Sequence, residues 1–323
     1  MRRSLLAISI CGVVSIAPAP AQAAFPGAPG PIAYSYSTIS ESEDRGGIFA
    51  HGPRKRDRSV QLTADRDDTS PSWSPNGRTV VFAGNRDPGE AKGSHIYLID
   101  RDGSDVRQLT SGESFDGNPS FSANGKFVVF DRSPLQGRES HIFSVALDGT
   151  GLRQLTDGPA SDYDPVFTPD GRRIVFVGDR VSSGRRDRSN IFSMRPDGSR
   201  IRLLIGGPRS EYDPDVSPNG RRIAFASNRD HGPNLFVARI DGKRVRRLTN
   251  SRSDCFSGAC YTNPSWSPDG KHIAFRSAGR YSSGVDVMRA DGRGFSKEFA
   301  GGGTESEGFG DRVGAPGWGP RPR

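Results

Sequence analysis

The sequence predicts an all-β chain: a six-bladed β-propeller of four-stranded antiparallel blades, the last blade closed by N- and C-terminal strands. Three observations carry that prediction. A strand, turn and strand motif recurs five times at nearly constant spacing, and a second turn motif recurs in phase with it. The two ends of the chain each hold the part of a unit that the other lacks.

The first motif reads SPSWSPNGRTVVF (70–82), NPSFSANGKFVVF (118–130), DPVFTPDGRRIVF (164–176), DPDVSPNGRRIAF (213–225) and NPSWSPDGKHIAF (263–275). Its glycines, Gly77, Gly125, Gly171, Gly220 and Gly270, lie 48, 46, 49 and 50 residues apart. In the last copy Pro268 presets φ for the first corner of a type I turn, Asp269 takes the second, and Gly270 supplies the left-handed position. The strand after the turn is apolar almost throughout, as expected of a strand covered on both faces by neighbouring sheets. The second motif, IYLIDRDGSDVRQLTSG (96–112) in its first copy, places an Asp-Gly hairpin turn at 102–103, 148–149, 197–198, 241–242 and 291–292. Each period therefore carries four short strands, and four antiparallel strands at this period make a propeller blade.

Five units begin near Pro71, Pro119, Pro165, Pro214 and Pro264, and the chain stops after APGWGPRPR, an inner strand without a blade. The missing strands match PIAYSYS (31–37), GIFAHG (47–52) and SVQLTAD (59–65) at the other end. The expected organisation is a signal peptide over 1–23, a short linker over 24–31 and one propeller domain over 32–323. Its sixth blade is assembled from 316–323 and 32–65, which removes the open sheet edges that invite aggregation.

Composition agrees with many short strands. The chain has 41 Gly and 24 Pro with only 33% hydrophobic residues, and no sustained 3.6-residue apolar pattern. The first residues differ: Arg2 and Arg3, the apolar run LLAISICGVVSIA, then Ala21 and Ala23 at an A-x-A cleavage site read as a secretory leader. The run is short for a membrane span. The expected product is exported, periplasmic or extracellular, with no transmembrane segment after processing. Removing the leader lowers the formal charge from +8 to +6 and leaves two cysteines, Cys255 and Cys260. In an oxidising compartment that pair closes a small loop, worth about 2 kcal/mol by chain entropy.

The motif pair PSWSPDGKHIAF (264–275) and IYLIDRDGS with the following LT (96–110) resembles the WD40-like repeat of the TolB family. The resemblance covers essentially residues 32–323. It implies a propeller whose channel mouth holds a segment of a partner. Only AFPGAPGP (24–31) stands where that family has an α/β domain, so no role of that domain carries over.

In such a propeller the Ser-Pro-Asp-Gly and Asp-Gly turns line one rim, and longer, variable loops line the other. On the variable rim, before each inner strand, stand SFDGNP (114–119), DYDP (162–165), EYDP (211–214) and CYTNP (260–264). Phe115, Asp116, Tyr163, Asp164, Tyr212, Asp213 and Tyr261 are thus candidates for an aromatic and acidic ring that binds a protein or peptide of the envelope or exterior. The alternative is structural: Asx-Pro is a turn device, and the aromatic wedges between blades. Positive clusters at Arg54, Lys55, Arg56 and Arg58 and at Arg185, Arg186 and Arg188 fit an anionic cell-wall polymer or plain solvated loops. They lack the interleaved aromatics that would stack nucleic-acid bases.

A different class is a propeller hydrolase or a metal-dependent polysaccharide lyase resembling oligogalacturonate lyases, whose metal is held by several histidines. His95 and His141 take matching positions in adjacent blades and His231 lies on the same rim, but the paired histidines start third strands, about 10 Å outward of the inner strand. Asn190 and Asn234 fill the same slot in the next blades, which favours a strand-entry hydrogen bond. With no G-x-S-x-G, H-E-x-x-H or P-loop signature, the expectation is a monomeric, non-catalytic module needing no cofactor.

Overall fold

The computed structural model describes residues 26–37, 46–52, 57–86, 93–137, 139–180, 188–230, 232–251, 259–279, 283–300 and 312–322. Every regular element among them is a strand, and the strands form six antiparallel sheets. The third blade is typical: Asp162–Phe167 pairs with Ile174–Gly178, which pairs with Asn190–Met194, which pairs with Arg202–Ile205. The first, second, fourth and fifth blades repeat that meander from inner strands Thr69–Trp73, Ser114–Phe121, Glu211–Val216 and Cys260–Trp266.

The sixth blade is built from both termini. Pro29–Ser37 pairs with Gly46–His51 on one side and with Gly317–Pro320 and Arg312–Val313 on the other; Ser59–Gln61 completes the sheet. Trp318 fixes the seam by donating its indole N–H to the Gly30 carbonyl (3.1 Å) and its backbone N–H to Ser265 Oγ of the fifth blade (3.0 Å). A Cβ on Gly319 would stand 2.3 Å from the Trp73 ring, so the closing strand approaches the first blade as only glycine allows. The stretch read as a linker is partly strand: pairing begins at Pro29, opposite Pro320, and Arg321 N–H donates to the Ala28 carbonyl. The proline-rich sequence had hidden this, since a ladder made at an edge tolerates residues lacking an N–H.

The core lies between blades. Six buried apolar clusters occur, one at each blade interface; Ala33, Ile48 and Leu62 of the sixth blade, for example, pack on Trp73, Val80 and Phe82 of the first. The aromatic that ends every copy of the first motif serves this packing. Phe82, Phe130, Phe176 and Phe225 are fully buried and stack across the sheet on Tyr97, Phe143, Phe192 and Phe236 at 5.7–6.0 Å between centroids. Burying each such ring contributes about 2 kcal/mol.

Candidate functional site

Each X-Pro pair of the motif is a bulge in the inner strand. Between Tyr163 and Val166 the inner strand spends one residue more than its partner does between Val177 and Val175, and the same slip occurs in the other four complete blades. Proline suits the slip because the unpaired residue needs no N–H. The residue before it, Ser70, Asn118, Asp164, Asp213 or Asn263, adopts φ of 48–52°, a left-handed region in which Asn and Asp are the most tolerated non-glycine residues. The six X-Pro prolines, from Pro71 to Pro316, together with Pro218 line the resulting central cavity of about 160 Å³.

These left-handed residues form a belt around the channel. Ser70 donates to Asn118 Oδ1 (3.0 Å), Asn118 Nδ2 and the Asp164 N–H both donate to Asp131 Oδ1 (3.0 and 3.2 Å), and the Asn263 N–H donates to Asp213 Oδ2 (2.9 Å). Asp213 adjoins Asp164 on the belt, and its charge disfavours ionisation of Asp164. Burial, then the charges of Asp213 and Asp131, push Asp164 well above the usual carboxylate range; burial likewise raises Asp213 against the pull of its hydrogen bonds and of Arg276. Burial lifts Asp131 to about 6, and Asp215, which accepts the N–H groups of Trp266 and Val216, to about 7.

Above the belt, on the variable rim, a polar opening of about 530 Å³ spans the seam. Ser35, Tyr36 and Ser37 of the sixth blade, Arg66, Asp67 and Ser70 of the first, and Asn118, Asn263 and Arg276 line it. Arg276 braces its wall by donating Nε to the Val313 carbonyl (2.6 Å).

The candidate ring residues take several different places. Asp164 and Asp213 stand on the belt. Tyr163 is half-buried and donates its hydroxyl to Ser189 Oγ (2.7 Å) within its own blade, and Tyr212 packs against the core between the fourth and fifth blades. Phe115 sits four residues before its proline and is 43% exposed at the sheet margin. Tyr261, three before its proline, meets Phe275 and Phe295 edge-on at 5.8 Å. Asp116 is buried, bound to Arg132 (2.6 Å), with His95 Nδ1 3.7 Å away. Phe115 thus stands four residues before its proline and Asp116 and Tyr261 three, whereas Tyr163 and Tyr212 stand two before theirs; the one-residue offset of Asp116 and Tyr261 puts a side chain on the other face of a strand.

Asp116 belongs to a set that sequence reading missed. Asp68, Asp116, Asp162 and Glu211, each three residues before the proline, are buried and paired with Arg86, Arg132, Arg180 and Arg229. Three of these guanidiniums lie 5.1–5.6 Å over the stacked aromatics of their blade. The Thr of the repeated Leu-Thr links blades: Thr110 accepts the Ile96 N–H and donates to Asp116 of the next blade (2.5 Å). Burial raises Glu211 to about 7 and lifts Asp68 and Asp162, with their arginines pulling the other way. The signal was present, an acid three before each proline and an arginine 16 or 18 residues later.

His141 lies one blade on from His95, and His231 lies outside the described residues, as do Cys255, the leader and, of the two basic clusters, Arg54, Lys55, Arg56, Arg185 and Arg186. Among the described residues no three His, Cys, Asp or Glu side chains are grouped to hold a metal ion, and no helix is long and apolar enough to cross a membrane.

No family model matches the chain, and no curated protein does. Solved structures do. TolB from Acinetobacter baumannii is 21% identical over 90% of this chain and 67% of that one, with a TM-score of 0.71. A putative TolB from Agrobacterium tumefaciens is 20% identical over 88% and 92%, with a TM-score of 0.64. An oligogalacturonate lyase solved with manganese is 14% identical over 87% and 76%, with a TM-score of 0.51. At these identities the likeness establishes a shared propeller fold.

Proposed function

We propose that this is an exported, non-catalytic propeller that takes a segment of a protein partner into the variable-rim mouth of its channel. The observation that carries the reading is the polar opening over the belt. Its size falls in the range of ligand sites, and its wall mixes the cations Arg66 and Arg276 with Asp67, serine hydroxyls and the Tyr36 ring. Such a wall suits backbone and side-chain groups of an extended peptide rather than a single repeated charge. The TolB-like fold supports the choice by analogy. Export rests on the leader-like N-terminus, and a disulfide between Cys255 and Cys260, five positions apart, would suit an oxidising compartment. We expect a monomer.

Photo-crosslinking tests this. A light-activated side chain at Ser37 or Asp67, on the mouth, traps a defined partner peptide in the native envelope fraction, and the same probe at Asn124 on the opposite rim does not. Equal trapping at both positions, or none at the mouth, removes the reading.

A further inference from the structure

The short-turn rim is made of turns that the repeat renders alike, yet its charge is uneven around the ring. In the third and fourth blades the four turn segments 168–173, 195–202, 217–222 and 239–246 carry eleven Arg and Lys against three Asp, a surplus of eight positive charges. The equivalent segments of the first blade, 74–78 and 100–107, hold three of each sign. The surplus is continuous in space. Inner and outer turns touch within the fourth blade, where the Ile240 N–H donates to the Arg221 carbonyl (2.9 Å), and the inner turns of the two blades face each other across a cleft of about 230 Å³ lined by Pro169, Arg173 and Pro218. Ten of the eleven cations are exposed.

Two of these arginines sit where the backbone disfavours them. Arg200 and Arg244 adopt φ of 57° and 56° at the slot that Asp105, a residue better tolerated there, takes at 54° in the first blade and that Gly151 and Gly294 fill in the second and fifth. A side chain there costs about 1 kcal/mol, and neither arginine makes a side-chain hydrogen bond or ion pair that would offset it. Strain kept without a packing return points to a use outside the fold. Beside them Ile201 and Val245 are each 36% exposed, so apolar side chains border the cationic field.

We infer that the short-turn face of the third and fourth blades is a docking surface for an anionic phospholipid membrane. Ten of the eleven cations are arginine, whose planar fork matches phosphate oxygens two at a time. They are spread over a two-blade rim, which suits a plane of headgroups better than a single linear chain, and the bordering aliphatics reach the headgroup and acyl boundary. The face is opposite the channel mouth, so a docked propeller presents its mouth away from the lipid.

Vesicle flotation with the full chain tests the inference, using phosphatidylglycerol and phosphatidylcholine in equal parts against phosphatidylcholine alone. Binding is expected only to the anionic vesicles and is lost at high salt. The double variant Arg200→Gly/Arg244→Gly binds at least about tenfold more weakly, from roughly fivefold per cation near an anionic surface, and melts no lower than the parent because the strain is gone. Lys126→Ser/Lys271→Ser removes the same charge from the neighbouring blades and weakens binding less than about threefold. Equal losses in the two variants, equal binding to neutral vesicles, or capture of soluble polyphosphate without vesicle binding would overturn the assignment.

Discussion

The two rims use arginine in opposite ways. On the variable rim Arg86, Arg132, Arg180 and Arg229 each face a fully buried carboxylate. On the short-turn rim of the third and fourth blades arginines outnumber their acids and point to solvent. Buried in a fold, an ion pair is nearly neutral for stability while intact and costly when halved. Exposed in excess, the same side chain contributes little to stability and everything to the local potential. Net charge, +8 for the chain, cannot tell these apart; the ring can, because it sorts residues by which turn they occupy.

The comparison presupposes a closed ring, and breaking the ring has the largest effect. A chain lacking residues 312–323 loses the strand that pairs with Pro29–Ser37 and should show no cooperative melt and should aggregate; a melting curve like that of the intact chain would refute the closure. Next, Arg132→Ala strands the Asp116 charge and should cost about 3–5 kcal/mol, whereas Arg244→Ala on the other rim should change stability by less than about 0.5 kcal/mol. Urea titrations of both variants measure the contrast, and similar losses would erase it.

The third effect is smaller and depends on pH. Asp131, Asp213, Asp215 and Glu211 hold protons in the folded protein to higher pH than in the unfolded chain. The folded state therefore binds more protons between about pH 4 and pH 7, and these groups lower stability as pH rises through that window. Asp213→Asn keeps an acceptor for Asn263 and gives Asp164 a donor, so it should gain about 1 kcal/mol at pH 7.5 and almost nothing at pH 4. Thermal melts across that range decide, and a gain that does not change with pH would mean that Asp213 does not carry the effect.

Much of this was legible beforehand. The turn glycines and Asp-Gly pairs fixed the blade count because left-handed positions restrict residue choice sharply, and Gly77, Gly125, Gly171, Gly220 and Gly270 all take φ of 65–68°. The shared blade was readable from the match between the two ends. The candidate site was legible only in part. The motif itself points to Asp164 and Asp213, whereas Phe115, Asp116 and Tyr261 stand at other distances from their prolines than Tyr163 and Tyr212 do, and an offset of one residue changes the face. Asp131 was invisible, because it reaches the belt from a second strand through a pairing that only the fold brings about. The basic surplus went unseen for a related reason: its arginines come from four segments spread over nearly 80 residues, each ordinary alone.

The seam also bears on the order in which the protein can form. Gly30 and Trp318 meet across 288 residues of chain, so the hydrogen bond between them waits for almost the whole polypeptide. Contacts so distant in sequence make folding slow, and until they form the earlier blades are an unfinished arc with two bare edges. A polypeptide delivered from its N-terminus would stay pliable, and dependent on protection of those edges, until its last few residues arrive.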